Sequence, residues 1–185
     1  EEKDLTNAIV KVLASRKKTV YFLTGHGESS LTDLAREGYF KAKQALLSQN
    51  VGVRDTLLLS GGRSVPEDCD LLIVAGPRKR FFETELDSIR SYLESGGSLF
   101  LLIDPEVESG LGPLLQAWSI SINDDFVVDE SGIGTRLFGL DYSMPIAAEY
   151  ATHPVTAKHK GLMTFYRYAR SITKLKPSIS MDVHE

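Results

Sequence analysis

The sequence predicts an α/β fold, a three-layer α/β/α arrangement on a mostly parallel sheet, with a small β-rich C-terminal extension. Three observations predict it. Short β-prone or wholly apolar runs, Thr19–Leu23, Leu71–Ala75 and Leu99–Ile103, alternate with helical patterns. Turn residues stop the chain just after each run, at Gly25, Gly76-Pro77 and Pro105. Leu71–Ala75 is apolar at every position, which suits a central parallel strand covered on both faces. Strands alternating with helices close into such a sheet through right-handed crossovers.

Each element follows from its pattern. Residues 5–15 place Leu5, Ile9, Val12 and Leu13 on one helical face. Thr19–Leu23 is the first strand. Leu31–Gln49 reads as a helix interrupted at Gly38, with Ser30 as its cap and Asp33 in its first turn. Val51–Leu59 contains a second strand, closed by Gly61-Gly62. In Glu83–Glu94, Leu86, Ile89 and Leu93 recur at helical spacing, acidic residues crowd the positive end of the dipole, and Gly96-Gly97 ends the helix. A short helix is expected around Leu111–Trp118, and one or two short strands within Ile120–Val128. The glycine- and proline-rich stretch 131–162 reads as loop, and Met163–Ile172 is β-prone. The expected organisation is an α/β/α domain over 1–130 and an extension over 131–185 packed on it.

Composition narrows the function. A chain of 185 residues with 42% hydrophobic content supports a full core without a disulfide or metal staple. Lys+Arg 21 against Asp+Glu 25 gives a net charge of -4, which argues against a nucleic-acid binder. The single cysteine, Cys69, excludes an internal disulfide and a multi-cysteine metal site. It precedes a strand rather than following one, so it reads as an apolar filler and not as a nucleophile. Gly25-x-Gly27 lacks the third glycine of a dinucleotide fingerprint, and neither a P-loop nor a G-x-S-x-G elbow occurs. No cofactor and no metal are expected. No apolar run reaches the roughly 20 residues that span a bilayer, and the start at Glu1 without methionine reads as a piece of a longer chain.

In open parallel sheets ligands bind beyond the carboxyl ends of the strands. Three loops fall there: Gly25–Glu28, Gly76–Arg78 and Asp104–Glu108. They offer His26, Glu28, Arg78, Asp104 and Glu106 as polar contacts, while Gly25, Gly27 and Gly76 let the backbone approach a ligand closely. From Glu149 to Asp182 no acidic residue interrupts a basic segment that includes Lys158, Lys160, Arg167, Arg170, Lys174 and Lys176. Arg167 and Arg170 are its candidate partner contacts.

These residues resemble a known family. T-V-Y-F-L-T-G-H-G-E at Thr19–Glu28 is the most specific element. D-L-L-I-V-A-G-P at Asp70–Pro77, E-x-x-x-I-x-x-Y-L-x-x-G-G at Glu85–Gly97, L-L-I-D-P at Leu101–Pro105, W-S-I at Trp118–Ile120 and H-P-V-T at His153–Thr156 follow in order. Together they resemble the auxiliary domain of ABC-type transport systems, as in gliding-motility-associated auxiliary proteins, over roughly residues 1–175. The resemblance implies a fold similar to class I glutamine amidotransferases and flavodoxin-like domains. It implies an extracytoplasmic, periplasmic domain of a membrane-anchored parent, working beside an ABC permease and ATPase, with a partner protein or glycan as ligand. The turn where such amidotransferases carry a cysteine is here Asp104-Pro105-Glu106, so no enzyme activity is carried over. The leading expectation is a non-catalytic accessory domain. The alternatives are a hydrolase using His26, Glu28 and Asp104, and a scaffold using the basic segment.

Overall fold

The computed structural model describes residues 16–35 and 38–176. The expected helix over 5–15 lies outside them. The chain divides into two compact units, Glu1–Ile103 with Val107–Leu114, and Asp104–Glu106 with Leu115–Glu185. The boundary therefore falls near residue 115, not 130.

The first unit carries a four-stranded sheet. Its elements are β1 (Thr19–Leu23), α1 (Phe40–Ser48), β2 (Gly52–Leu57), β3 (Leu71–Ala75), α2 (Glu83–Glu94) and β4 (Leu99–Leu102). The strand order is β2-β1-β3-β4, and every pairing is parallel. This is an α/β fold with a parallel sheet, as the alternation of patterns requires. β3 is central: Leu72 and Val74 are fully buried on one side, and Ile73 and Ala75 are buried on the other. A strand apolar at every position has no polar face to give to water, so both faces must be covered. Val20, Phe22, Ile73, Ala75 and Leu31 form one core cluster, against which Tyr39 and, from α1, Leu46 pack.

The helix expected over Leu31–Gln49 begins only at Phe40. Local hydrogen bonds win over helical ones in 30–35. The Ser30 hydroxyl accepts the Thr32 amide at 3.2 Å, and the Asp33 carboxylate accepts the Ala35 amide at 2.8 Å. Ser30 is thus not a helix cap; its carbonyl accepts the Tyr39 amide at 2.9 Å and closes a loop. Gly38 permits that closure, because a Cβ there would lie 2.1 Å from the Asp33 carbonyl oxygen.

The far end of α2 is pinned by Tyr92. Its hydroxyl accepts the Ser98 amide at 3.1 Å and lies within donating distance of the Ser98 and Cys69 carbonyls, at 3.1 and 3.3 Å. Its ring fills the place where a side chain on Gly97 would go. The Y-L-x-x-G-G motif is therefore a packing device. Burial, with the Cys69 contact, pushes the Tyr92 hydroxyl up to about 12, and burial also raises the Cys69 thiol.

The division of the chain at Leu114/Leu115 falls within α3 (Gly112–Ala117), and the second unit adds β5 (Ile120–Ile122), α4 (Ile133–Phe138), β6 (Ile146–Ala147), β7 (Thr164–Phe165) and β8 (Ile172–Lys174). β5 pairs antiparallel with β8, and β6 with β7. Because β5 pairs with β8, Ile120–Ile122 belongs with the extension. α4 breaks the expected loop over 131–162. The glycines that suggested loop, Gly132 and Gly139, instead flank this helix in left-handed conformation, with φ of 65° and 64°.

Candidate functional site

The chain runs from β1 outward to β2, then returns across β1 to β3. Strand order thus reverses between β1 and β3, and in open α/β sheets the crevice at that reversal is where ligands bind. The loop after β1 holds Gly25–Glu28 and the loop after β3 begins at Gly76. Backbone bonds knit the two together. His26 carbonyl accepts the Arg78 and Lys79 amides at 2.7 and 3.0 Å, and Ala75 carbonyl accepts the Ser29 amide at 3.0 Å. Gly76 (φ 67°) turns the chain and donates its amide to Leu102 at 2.9 Å. Gly25 and Gly27 have φ of 121° and 83°, and a Cβ on either would lie 3.2 Å from Leu58 or Arg78. These glycines bring flanking side chains of the protein close.

His26 and Glu28 do not line an open cleft. His26 is 5% exposed. Its Nε2 donates to Glu85 Oε2 at 2.9 Å, its amide donates to Glu28 Oε2 at 2.8 Å, and its ring stacks on Phe81 with centroids 4.0 Å apart. Nδ1 faces Glu28 Oε1 at 3.5 Å, and neither atom has a hydrogen-bond partner. Glu85, 1% exposed, also accepts the Phe82 amide at 2.9 Å. One carboxylate thus fastens the start of α2 to the loop after β1. Polar groups buried this deeply persist because they bind each other. Among the described residues no group of three or more His, Cys, Asp or Glu is arranged to hold a metal ion.

Arg78, by contrast, is exposed at the surface above His26. Asp104 and Glu106 belong to the second unit and are both exposed, Glu106 with a φ of 60°. The carboxylates at His26 are Glu28 and Glu85. Glu85 was missed as a site residue from sequence, where the acidic start of α2 read only as dipole compensation. The usual signal for such a glutamate, a Ser, Thr, Asp or Asn three residues before it, is absent, because the cap position holds Phe82.

Arg170, expected as a partner contact, is turned inward in the described structure. Its side chain is 8% exposed, and it donates to the carbonyls of Asn123 at 2.7 Å and Asp104 at 3.1 Å. It holds the second unit together from within. Arg167 does reach the surface, with its guanidinium 4.9 Å from the Tyr168 ring centroid.

A cleft of about 340 Å³ with a mixed polar and apolar lining lies at the other end of the sheet, lined by residues including Ser64, Cys69, Ser91, Tyr92 and Ser95. Its helical hydroxyls are already used: Ser91 donates to Asp87 at 2.9 Å and Ser95 to Tyr92 at 2.8 Å.

Comparison with known proteins is consistent with this architecture. The family model described as ABC-type uncharacterized transport system matches residues 17–178. The chain belongs to this family. Its members are auxiliary components of ABC-type transport systems, as the motifs from Thr19 to Thr156 implied. The chain is also 32% identical over 62 residues to the intraflagellar transport protein 52 homologs of Homo sapiens and Mus musculus. Those matches cover 31% of this chain and 14% and 15% of the relatives, so the chain spans a small part of their length. A solved structure titled mmIFT52 N-terminal domain superposes with a TM-score of 0.66 at 19% identity, covering 88% of this chain and 71% of that one. That likeness shows a shared fold.

Proposed function

We propose that this domain is a non-catalytic accessory module of an ABC-type transport system, presenting the β1/β3 loops as a binding face. The observation that carries it is the burial of His26 between Glu28 and Glu85 under Phe81. A general base must reach a substrate proton. This histidine instead braces the loops beneath Arg78 and Lys79. Family membership supports association with transporter components. The finer reading is an extracytoplasmic, periplasmic domain on a three-layer core, carried by a membrane-anchored parent. Among the described residues no helix is long and apolar enough to cross a membrane, so an anchor would lie elsewhere.

The test is affinity purification of the tagged full-length parent from detergent-solubilised membranes. Co-recovery of an ABC permease and ATPase is expected; recovery of the parent alone in good yield would remove the accessory role. Protease added to intact spheroplasts should cleave the domain if it faces outward, and full protection would refute that location.

A further inference from the structure

Residues 153–163 of the second unit, opened by the H-P-V-T motif, wind in successive turns. The Thr156 amide donates to the His153 carbonyl at 3.0 Å, the His159 amide to Thr156 at 2.8 Å, and the Leu162 amide to His159 at 2.9 Å. Bonds of this span give about three residues per turn, so side chains three apart share an edge. His153, Thr156 and His159 form the half-buried edge, and every other residue of the segment is exposed. Val155, at 74% exposure, and Lys158 follow each other along one outer edge, and Lys160 stands on the next. Gly161, with a φ of 78°, ends the winding, and Leu162 and Met163 follow it into water at 52% and 56% exposure.

The inner edge is fastened, which fixes what faces outward. Thr156 Oγ1 donates to the Ala151 carbonyl at 2.7 Å, and the His159 ring lies 5.2 Å from that of Tyr150. The Tyr150 and Thr164 hydroxyls bond each other and tie the two ends of the segment. The outward charge is unbalanced. No acidic residue occurs from 150 to 181. Elsewhere in the unit Asp124 faces Arg170, and Asp125, Asp129 and Asp141 are bonded to Ser171, Ser131 and Ser143. Glu149, the acid nearest in sequence, is exposed, and among the described residues neither Lys158 nor Lys160 forms an ion pair with it or with any other acid.

We propose that segment 153–163 seats on an anionic bilayer surface, with Val155, Leu162 and Met163 entering the interface and Lys158 and Lys160 meeting lipid phosphates. Composition separates this occupant from an acidic protein. Protein interfaces are depleted in lysine, and their anchors are Trp, Tyr and Arg. The segment has no Trp, Tyr or Arg, and its cations are lysines. A lysine stem lies along apolar surface while its ammonium reaches the headgroups. Apolar side chains among such cations are the composition of an interfacial contact. A chain whose net charge is -4 is repelled as a whole by an anionic surface, so contact must come from a local patch of this kind. This goes beyond the accessory role and does not depend on it.

The experiment is co-sedimentation of the full 185-residue chain with phosphatidylcholine vesicles, pure or containing about a third phosphatidylglycerol. The chain should sediment with the anionic vesicles, less so as salt rises, and stay in solution with the neutral ones. K158Q/K160Q should weaken binding about thirtyfold, about fivefold for each cation removed. L162S/M163S should weaken it more than about tenfold. K41Q/K79Q, which removes two exposed lysines of the first unit, should leave it unchanged. Because every replaced side chain is exposed, Tm should not move. Equal binding to neutral vesicles, an equal loss in K41Q/K79Q, or a large fall of Tm in either segment variant would overturn the proposal. So would failure to bind anionic vesicles, and capture of a polyglutamate peptide in their place would give the segment to a protein partner. Transporter co-purification reads the accessory role separately, so recovered subunits without vesicle binding would sink the bilayer contact alone.

Discussion

The two units solve the problem of holding a chain together in different ways. Among the described residues, the buried apolar side chains other than Pro105 and Leu115 lie in the first unit. The second unit leaves Ile133, Leu137, Phe138, Met163, Phe165 and Ile172 substantially exposed. It relies on polar ties instead. Arg170 spans the Asn123 and Asp104 carbonyls, and Asp125 accepts both the amide and the hydroxyl of Ser171, at 2.8 and 2.6 Å. A parallel sheet with both faces covered excludes water and gains from each apolar group. Two-stranded sheets such as β5–β8 and β6–β7 bury little and are marginal alone. The contrast teaches where to expect cooperative stability: in the first unit, with the second opening at lower free energy.

The largest expected effect tests that contrast directly. Leu72→Ala, fully buried in β3, should cost about 2–5 kcal/mol in urea unfolding, while Ile172→Ala in exposed β8 should stay within about 0.5 kcal/mol. Equal costs would abolish the distinction.

Next comes the buried clasp. Glu85→Ala strips the acceptor from both His26 Nε2 and the Phe82 amide. A loss of about 2–4 kcal/mol is expected, read as a lower denaturant midpoint. A near-neutral result would mean that the clasp does not brace the loops.

Arg170→Met should act on the second unit alone. Amide exchange should accelerate in β5 and β8, by the equivalent of about 1–3 kcal/mol, while β3 keeps its protection. Equal acceleration in β3 would show that the units unfold together.

The smallest effect is that of pH. Asp70 is held below its usual range by the Thr19 amide and then by Lys18 and Arg16; Asp125 is lowered by Ser171. A carboxylate whose folded value is lowered contributes stability that is present above its unfolded value, near 3.9, and lost as pH falls through the folded value. Stability should therefore decline only below about pH 4, and Asp70→Asn should flatten that decline. An unchanged acid limb in Asp70→Asn would remove Asp70 from the account.

Much of this was legible in the residues. Thr19–Leu23, Leu71–Ala75 and Glu83–Glu94 stand where their patterns put them, because unbroken apolar runs and helical spacing leave one way to avoid water. The family was legible through the order of T-G-H-G-E, A-G-P and Y-L-x-x-G-G. The start of α1 was not, because the hydrogen bonds of Ser30 and Asp33 compete with a helix over only a few residues. Nor was α4, whose flanking glycines signal a loop as strongly as a helix end.

By itself the sequence determined the parallel α/β class and the loops that gather at its carboxyl edge, since both follow from local pattern and strand direction. Tertiary structure alone decided what those loops do. Whether a histidine faces solvent or a carboxylate 59 positions away along the chain depends on which elements the sheet brings together. Folding buried His26 on Glu85, turned Arg170 inward, and left Phe82 in water. No periodicity encodes such a choice, because it is made between segments distant in the chain and settled by desolvation and packing.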